Sequence, residues 1–260
     1  MTLRWSLPVA SPTFQRLPTA MDSLPQELVN EIIDSLPKSS LSSSSLISRR
    51  WRKRSQQRAF HYVSFTSEDR VDDWDGDIQS EIPSYVSFAA FRGIGLWDDT
   101  ALFGSVLRNF SSLTTLWIYE TKIPSKLPGY ISRGEFGERI TTLALLYPRC
   151  SLSTIVSMSL SPPNLKKLFI GNDRDTSRNP PSTYPVALRP LDSITLFEKV
   201  NGVTKALVEC RFTSRDFCID IQRIRIPTIQ RLLTLSSEII VELTFNGAQL
   251  LRITKLQERS

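Results

Sequence analysis

Side chains that could act as nucleophiles, acid–base groups or zinc ligands are few in this sequence. It contains one histidine, His61, and three widely spaced cysteines, Cys150, Cys210 and Cys218. A Cys150–His61 catalytic pair would need long-range closure that no local feature supports. A zinc site would need more ligands around Cys210 and Cys218 than the sequence supplies. We therefore expect no metal, no cofactor and no catalytic residue.

Motifs that mark common enzyme sites are also missing. The adjacent carboxylates Asp72–Asp73 and Asp98–Asp99 diverge in either a strand or a helix, so neither pair forms an acid–base dyad. Gly93-Ile94-Gly95 lacks the third glycine of a dinucleotide-binding turn, and neither a Gly-x-Ser-x-Gly motif nor a phosphate-binding glycine loop occurs. The sequence thus predicts a protein that is not an enzyme.

Length and composition indicate an ordinary globular protein of one or two domains. The chain has 260 residues, of which 40% are hydrophobic and 22% charged, and a formal net charge of +6. No stretch approaches 18 consecutive apolar residues, so a membrane span is not expected. An odd number of scattered cysteines is typical of a reducing compartment, which predicts a cytoplasmic and/or nuclear location.

The most informative elements lie near the amino terminus. Ser23 and Gln26 have the spacing of a capping box, and Pro25 falls in the first turn of the helix that follows. Pro37 ends this helix. Its apolar stripe has four-residue spacing, is widened by Ile33, and consists of Leu24, Leu28, Ile32 and Leu36. The pattern predicts an amphipathic helix between residues 24 and 36.

Two further short helices are predicted after Pro37. Ser39 or Ser40 could cap the first of them. The second is amphipathic and has apolar positions at Leu46, Ile47, Trp51, Ala59 and Phe60. Three short helices in about 40 residues cannot bury this much apolar surface among themselves, so a partner or a following domain should cover the remainder.

In order and spacing, these residues resemble an F-box of the type common in fungal proteins, over about residues 22–62. The resemblance implies docking on the Skp-type adaptor of an SCF cullin–RING ubiquitin ligase. The positions that match the family's adaptor-facing and packing residues are Leu24, Pro25, Leu28, Ile32, Leu36, Pro37, Leu41, Leu46, Ile47 and Trp51. Ser48 departs from the pattern, since many relatives carry cysteine there, and the serine run 42–45 has poor helix propensity. The alternative is an ordinary helical hairpin of a larger core.

A basic cluster occupies the third predicted helix. Its members are Arg49, Arg50, Arg52, Lys53, Arg54 and Arg58, with no acid among them. The cluster equals the net charge of the whole chain, so nucleic-acid binding or nuclear import is an alternative function. Because Trp51 and Ala59 interrupt the run at buried positions, we expect most of these cations to form a solvated helix face.

Segments on either side of the F-box-like helices differ in composition. Residues 1–20 contain two arginines, no acid and three prolines, which predicts a disordered extension, with a targeting segment as the alternative. An acidic stretch predicts a solvated linker at 66–82. The predicted domains are therefore an F-box at 21–65 and a second domain at 83–260.

The second domain carries an apolar pattern at positions i, i+3 and i+5. Four copies begin at Leu113, Ile140, Leu165 and Leu191, in steps of 27, 25 and 26 residues. Weaker copies begin at Phe91, Ile221 and Ile240. The last two positions of each copy alternate as a strand requires. Helical spacing recurs between copies, at 100–110, 151–160 and 228–235.

Alternating strands and helices at this period predict right-handed βα units with a continuous core. The pattern resembles leucine-rich repeats, although the asparagine that ties the turn after each strand occurs only at Asn172 and Asn246. We expect an α/β protein: a three-helix F-box followed by a short, irregular leucine-rich-repeat-like βα solenoid. A non-repeat α/β domain is the alternative.

Together these features predict a non-catalytic substrate receptor of the ubiquitin conjugation pathway, which works through protein–protein interaction. Strand positions between the buried ones should face outward, so Trp117 and Phe169 are candidate target-binding residues. The alternative for this pair is that it fills a second packed layer. A nucleic-acid-associated protein, and a scaffold that carries an F-box outside a ligase, are the rival functions.

Overall fold

A computed structural model of the protein describes residues 23–66, 81–93, 100–171, 190–197, 201–220, 230–231, 234 and 242–246. The chain divides into two compact units, residues 1–59 and 60–260. The first unit is helical and the second contains a parallel sheet, so the protein is mixed α/β.

The helical unit contains the three predicted helices. Helix α1 spans Gln26–Ser35, α2 spans Leu41–Ser44 after a 3-10 turn at Lys38–Ser40, and α3 spans Arg49–Phe60.

The start of α1 differs from the prediction. Pro25 takes the N-cap position and makes no side-chain cap hydrogen bond. Ser23 therefore lies two residues before the N-cap rather than at the N-cap, where a capping box with Gln26 would place it. Ser40 is the N-cap of α2, also without a side-chain hydrogen bond.

The second unit is built on a sheet of eight parallel strands within the described residues, and the strand order follows the chain order. The strands are β1 (Tyr62–Phe65), β2 (Phe88–Arg92), β3 (Thr115–Tyr119), β4 (Thr142–Leu146), β5 (Lys167–Gly171), β6 (Pro190–Phe197), β7 (Thr213–Asp220) and β8 (Glu242–Asn246).

Helices alternate with these strands. They are α4 (Thr100–Asn109), α5 (Leu127–Arg133), α6 (Glu135–Arg139), α7 (Leu152–Leu160) and α8 (Asn201–Glu209), with a 3-10 turn at Ile82–Tyr85. Helices α4 and α7 lie where predicted. Helices α5 and α6 were not predicted, because both contain glycine, which lowers helix propensity. Helix α8 was also missed. The helix predicted at 228–235 lies mostly outside the described residues.

The strand register has a regular spacing. Residues paired across the sheet at the second apolar position are 63, 89, 116, 143, 168, 194, 217 and 243, in steps of 26, 27, 27, 25, 26, 23 and 26 residues. The four strongest predicted copies and the copy beginning at Ile240 fall in this register.

Two of the weaker copies were predicted from Phe91 and Ile221, whereas the copies on strands β2 and β7 begin at Val86 and Ser214. Phe91 takes the last inward position of its copy rather than the first, and the residues predicted to follow it, like the copy predicted from Ile221, lie outside the described residues. The inward positions of the observed copies include the small residues Ala89 and Ser214, where the apolar pattern gives little signal. A further copy at 60–65 was missed because its strand has only four residues.

The start of the sheet unit also differs from the prediction. Strand β1 pairs with β2, and the division between the units falls between Ala59 and Phe60. The sheet unit therefore begins at Phe60 rather than at residue 83, and β1 lies before the predicted acidic linker. Residues 67–80 of that linker and the predicted extension 1–20 lie outside the described residues.

The inner face of the sheet and the helices enclose one hydrophobic core. Leu116, Leu143 and Leu168 follow one another across adjacent strands and are fully buried. At one end, the ring of Phe91 lies 4.9 Å from that of Phe65 and 4.6 Å from that of Phe103, centroid to centroid. Such aromatic contacts add to the stabilisation from burial.

Main-chain hydrogen bonds repeat from strand to strand. The Thr114 carbonyl accepts from the N–H groups of Thr141 and Thr142, at 2.9 and 3.1 Å, and the same two-to-one arrangement recurs at four other strand starts. The residues that follow β2, β3 and β4 all have positive φ, and they are Gly93, Glu120 and Tyr147. After β3 the buried Thr121 hydroxyl contacts the carbonyls of Phe91 and Tyr119. A threonine hydroxyl therefore holds this turn, whereas the leucine-rich-repeat pattern has an asparagine after each strand.

Candidate docking surface

Helix α1 is amphipathic, and its buried face contains Ile33, which widens the predicted stripe, and Val29, which was not predicted. Val29 and Ile33 are fully buried and pack with Leu41 and Trp51. Leu24 and Leu36, from the ends of the predicted stripe, are half-buried and pack against this cluster. The two central stripe residues lie on the solvent side of the helix.

Exposed apolar side chains are concentrated in the helical unit. They are Leu28, Ile32, Leu46 and Ile47, with exposed fractions of 45%, 38%, 73% and 38%. In the described part of the sheet unit, only Tyr62 and Tyr130 are large hydrophobic residues with comparable exposure. Because exposed aliphatic residues are concentrated in this unit, it is the candidate docking surface. All four were predicted adaptor-binding residues, and Pro25 and Pro37 from the same set are also exposed.

Two other residues of the predicted adaptor-binding set lie in the interior. Leu41 is 1% exposed and Trp51 is 5% exposed. Both pack against Val29 and Ile33 of α1. Both side chains therefore belong to the core beneath the exposed residues. In this conformation they have almost no surface available to a partner.

Three arginines of the basic cluster occupy one face of α3 and bind α1. Arg50 donates from Nε to Oε1 of Gln26 at 3.1 Å, and from Nη2 to the carbonyl of Leu24 at 2.6 Å. Four residues later, Arg54 forms a two-point pair with the Asp34 carboxylate, at 2.8 and 2.6 Å. Side chains at this spacing project from the same side of a helix.

The third of these residues, Arg58, binds the carboxyl end of α1. It donates to the carbonyls of Ile33 and Leu36, the latter at 3.0 Å. Carbonyls at a helix end lack helical partners and carry partial negative charge, so a guanidinium is favourable there. The prediction of a mostly solvated basic face is therefore wrong for Arg50, Arg54 and Arg58.

Asp34 lies between two of these guanidinium groups. The hydrogen bond from Arg54 lowers the pKa of the Asp34 carboxyl below its ordinary value of 3.8, and attraction to Arg54 and Arg58 acts in the same direction. The carboxylate thus remains charged near neutral pH. This ion pair and the Arg58 contacts hold the carboxyl end of α1, which carries the exposed Ile32, against α3.

Buried hydroxyls link α2 to α3. The Oγ atoms of Ser44 and Ser55 lie 2.8 Å apart, and Ser44 also donates to the carbonyl of Leu41 at 2.9 Å. By contrast, the Oγ of Ser48 is shielded from solvent and has no hydrogen-bond partner. This is the position at which the F-box pattern more often has cysteine, a side chain that tolerates an apolar environment better.

The remaining cations of the cluster, Arg49, Arg52 and Lys53, are exposed. An open cavity of about 370 Å³ between α1 and α3 is lined by Gln26, Asn30, Arg49, Arg50, Lys53, Arg54 and Gln57. Two of its four cations already bind groups of α1. The charge available to a nucleic acid is therefore smaller than the sequence indicates.

The predicted target-binding residues lie on the outer face of the sheet. Trp117 and Phe169 are both half-buried, and their ring centroids are 6.4 Å apart. Ala144 lies between them in the register of the strands and is fully buried. The two rings therefore form a pair over a small residue rather than two isolated side chains.

Two further rings extend this row toward the first strand. Phe88 lies 5.2 Å from Trp117, and Tyr62 lies 4.7 Å from Phe88, between centroids. The sequence did not indicate either residue, because β1 and β2 were not placed correctly. The indole N–H of Trp117 is shielded from solvent and has no hydrogen-bond partner. We refer to Tyr62, Phe88, Trp117 and Phe169 as the aromatic row.

The residues considered for chemistry at the outset are dispersed. No group of three or more His, Cys, Asp or Glu residues within the described ranges could hold a metal ion. Burial raises the pKa of the Cys210 thiol to about 11, so this thiol is a poor nucleophile at neutral pH. His61 contacts the Ser87 hydroxyl, with Nδ1 and Oγ 2.8 Å apart. Among the helices that the structure describes, none is long and apolar enough to cross a membrane.

Comparison with protein-family models matches residues 21–62 to the F-box domain. This span contains α1, α2 and α3 and all ten of the residues predicted for adaptor binding. Comparison with curated proteins gives no significant match to the chain.

Proposed function

Because residues 21–62 are an F-box domain, a module that binds Skp-type adaptors within cullin–RING ubiquitin ligases, we propose that this chain is a substrate receptor of an SCF ligase. F-box proteins are generally non-catalytic, and no residue of this chain needs to take part in ubiquitin transfer. The observation that carries the proposal is the exposure of Leu28, Ile32, Leu46 and Ile47 within the matched span.

Adaptor binding would bury this exposed apolar surface. Leu28 and Ile32 are four residues apart on one face of α1, and Leu46 and Ile47 follow α2. Burial of apolar area stabilises a complex by roughly 25 cal/mol per Å², before the entropy cost of association is subtracted. The arginines of α3 contribute indirectly, since they hold α1 in place.

A pull-down of the full chain with its adaptor tests this proposal. We expect Leu28→Asp combined with Ile32→Asp to abolish adaptor recovery, because two charges would be placed against an apolar partner surface. Tyr130→Asp is a matched control, since Tyr130 is 39% exposed and belongs to the other unit. Undiminished recovery with the α1 double variant would refute adaptor docking through this face.

The second unit is proposed to be a leucine-rich-repeat-like βα solenoid that recruits the target protein. Strand order that follows chain order, steps of 23–27 residues and recurring hydrogen bonds at the strand starts support this assignment. A target bound by this unit would be held near the conjugating enzyme, which would raise the effective concentration of the target's lysines at that enzyme.

Target contact is proposed to involve Trp117 and Phe169 of the aromatic row. Their half-buried rings offer apolar contact area on the outer face of the sheet. Aromatic residues commonly dominate binding energy at interfaces. Proximity labelling with the wild type and with Trp117→Ala/Phe169→Ala tests this role. We expect the double variant to retain adaptor and lose target proteins, and an unchanged set of labelled proteins would argue against it.

Nucleic-acid association is the second candidate function, favoured by the exposure of Arg49, Arg52 and Lys53. Binding through these cations would fall steeply with salt. Titration of duplex DNA at two ionic strengths, with wild type and a triple alanine variant, separates the two functions. If the chain is instead a receptor that acts in the cytoplasm and/or nucleus, wild type and the triple variant should have the same affinity for duplex DNA at both ionic strengths.

A further inference from the structure

An open cavity of about 520 Å³ lies among helices α4, α5 and α6, within the sheet unit. Its lining residues are Arg108, Ser125, Lys126, Gly129, Tyr130, Arg133, Gly134 and Phe136. The volume is within the range of small-molecule sites, about 300–1,000 Å³. The cavity belongs neither to the F-box helices nor to the aromatic row.

Three cations surround this cavity, and none of them has a counter-charge among the described side chains. Arg108 is in the last turn of α4, Lys126 immediately precedes α5, and Arg133 ends α5. All three are exposed, none forms an ion pair or hydrogen bond in the part of the chain that the structure describes, and no acid is among the described lining residues. Like charges around one cavity repel one another, so a bound anion would be stabilised by all three.

Helix dipoles account for only two of these cations. Arg108 and Arg133 are near helix carboxyl ends, where positive charge is favourable. Lys126 occupies the N-cap position of α5, where positive charge is unfavourable and where neutral or acidic residues are preferred. An external anion would offset this cost.

The cavity also offers apolar contact. Phe136 is 1% exposed and contributes to the wall, and the Tyr130 ring packs so closely on α4 that a Cβ built on Gly104 would lie 3.3 Å from Tyr130 Cδ1. A Cβ built on Gly129 meets nothing within 4 Å. The space beside Gly129 is therefore open, with an aromatic ring held in place next to it.

We infer that this cavity binds a small phosphate monoester of a flat aromatic molecule. The three cations hold the dianionic phosphate group, and the flat ring lies against the exposed ring of Tyr130. A dianion matches three cations better than a monoanionic carboxylate does, and charge-assisted hydrogen bonds from arginine suit phosphate oxygens. This site is independent of adaptor docking.

Isothermal titration of the full chain with phenyl phosphate tests the inference, with inorganic phosphate and phenol as the two partial probes. We expect phenyl phosphate to bind about tenfold or more tightly than either, because only it uses both the cations and the Tyr130 ring. Combined Arg108→Ala, Lys126→Ala and Arg133→Ala substitutions should weaken binding about tenfold or more. A matched variant that removes three exposed cations elsewhere, Arg149→Ala, Lys166→Ala and Lys167→Ala, should leave it unchanged.

Gly129→Leu provides a second test that keeps every charge. Leucine is a better helix former than glycine, so α5 should persist, while its side chain fills the open space. We expect loss of phenyl phosphate binding with an unchanged circular dichroism spectrum and unchanged adaptor recovery. Equal binding of phenyl phosphate and inorganic phosphate, equal losses in the two triple variants, or full binding by Gly129→Leu would each overturn the inference.

Discussion

Among residues 23–59 of the helical unit, four large apolar residues are buried and four are exposed, whereas the sheet unit buries a continuous row of them on every described strand from β1 to β7. The difference follows from size. A small unit has too much surface for its volume and cannot enclose all its apolar side chains, while a larger layered unit can. The apolar surface that stays exposed in the smaller unit is therefore available for binding a partner.

The two units also differ in how their elements are joined. Strands of the sheet unit are tied by main-chain hydrogen bonds that depend little on residue type. The helical unit instead relies on side chains, with arginines of α3 bound to α1 and a Ser44–Ser55 contact between α2 and α3. Stability of the helical unit should therefore be more sensitive to single polar substitutions.

The largest expected effect is in the sheet core. Phe91→Ala removes a fully buried ring that contacts Phe65 and Phe103 and should cost about 3–5 kcal/mol. Hydrogen exchange followed by mass spectrometry should show faster exchange in peptides from the sheet unit, with little change in 26–44. Equal acceleration in both units would show that they unfold together.

Neighbouring residues of α1 give the next test. Ile33→Ala should destabilise the helical unit by about 2–4 kcal/mol, because Ile33 is fully buried. Ile32→Ala should cost under about 1 kcal/mol, because its side chain is 38% exposed, yet it should reduce adaptor recovery. Urea unfolding and pull-down of the two variants measure both effects. Similar unfolding midpoints would contradict the assignment of buried and exposed faces.

Ser55→Ala tests the link between α2 and α3. It removes the buried partner of Ser44 and should cost about 1–2 kcal/mol. Ser44→Ala/Ser55→Ala should cost less than the sum of the two single substitutions, because the contact between the two hydroxyls can be lost only once. Thermal unfolding of the single and double variants compares them, and strict additivity would mean that the two hydroxyls do not interact.

Asp34→Asn should have a small, pH-dependent effect. The folded-state pKa of Asp34 is lowered, so its stabilisation is fully present above the unfolded-state pKa of about 3.9 and is lost as pH falls through the folded value. Because the pair is partly exposed, we expect a cost of about 0.2–1 kcal/mol at pH 7. Unfolding experiments from pH 7 to pH 3 should show wild type and variant converging only below about pH 4. A difference that persists there would point to a cause other than the ion pair.

The smallest expected effect is at Ser48. Its hydroxyl is buried without a partner, so Ser48→Ala or Ser48→Cys should change stability by less than about 0.5 kcal/mol, or increase it. Replacing a typical N-cap serine by alanine lowers the stability of the protein by about 1 kcal/mol. A loss of that size in chemical denaturation would show that Ser48 does cap α3.

Much of the fold could be predicted because burial imposes a period on the sequence. The copies from Leu113 to Leu191 were placed in register, since each has large aliphatic residues at inward positions. Prediction failed where small residues occupy those positions, as at Ala89, because apolar pattern carries little signal there. The short strand β1 was missed for lack of length.

The exposed residues of the candidate docking site were among those predicted, but the core residues of α1 were predicted only in part. Four-residue spacing in α1 gave a stripe that includes Leu28 and Ile32 and is widened by Ile33, whereas the core uses Ile33 together with Val29. Adjacent residues on a helix are about 100° apart, so both stripes fit the same amphipathic pattern. The choice between them depends on where Trp51 packs.

The sequence by itself determined that the chain has a short helical module followed by alternating strands and helices, because local spacing of apolar residues sets both periods. Only the tertiary structure decided which face of α1 is buried, that Arg50, Arg54 and Arg58 bind α1, and that Tyr62, Phe88, Trp117 and Phe169 form a row. These features depend on contacts between residues far apart in the chain, and local pattern contains no information about such pairs.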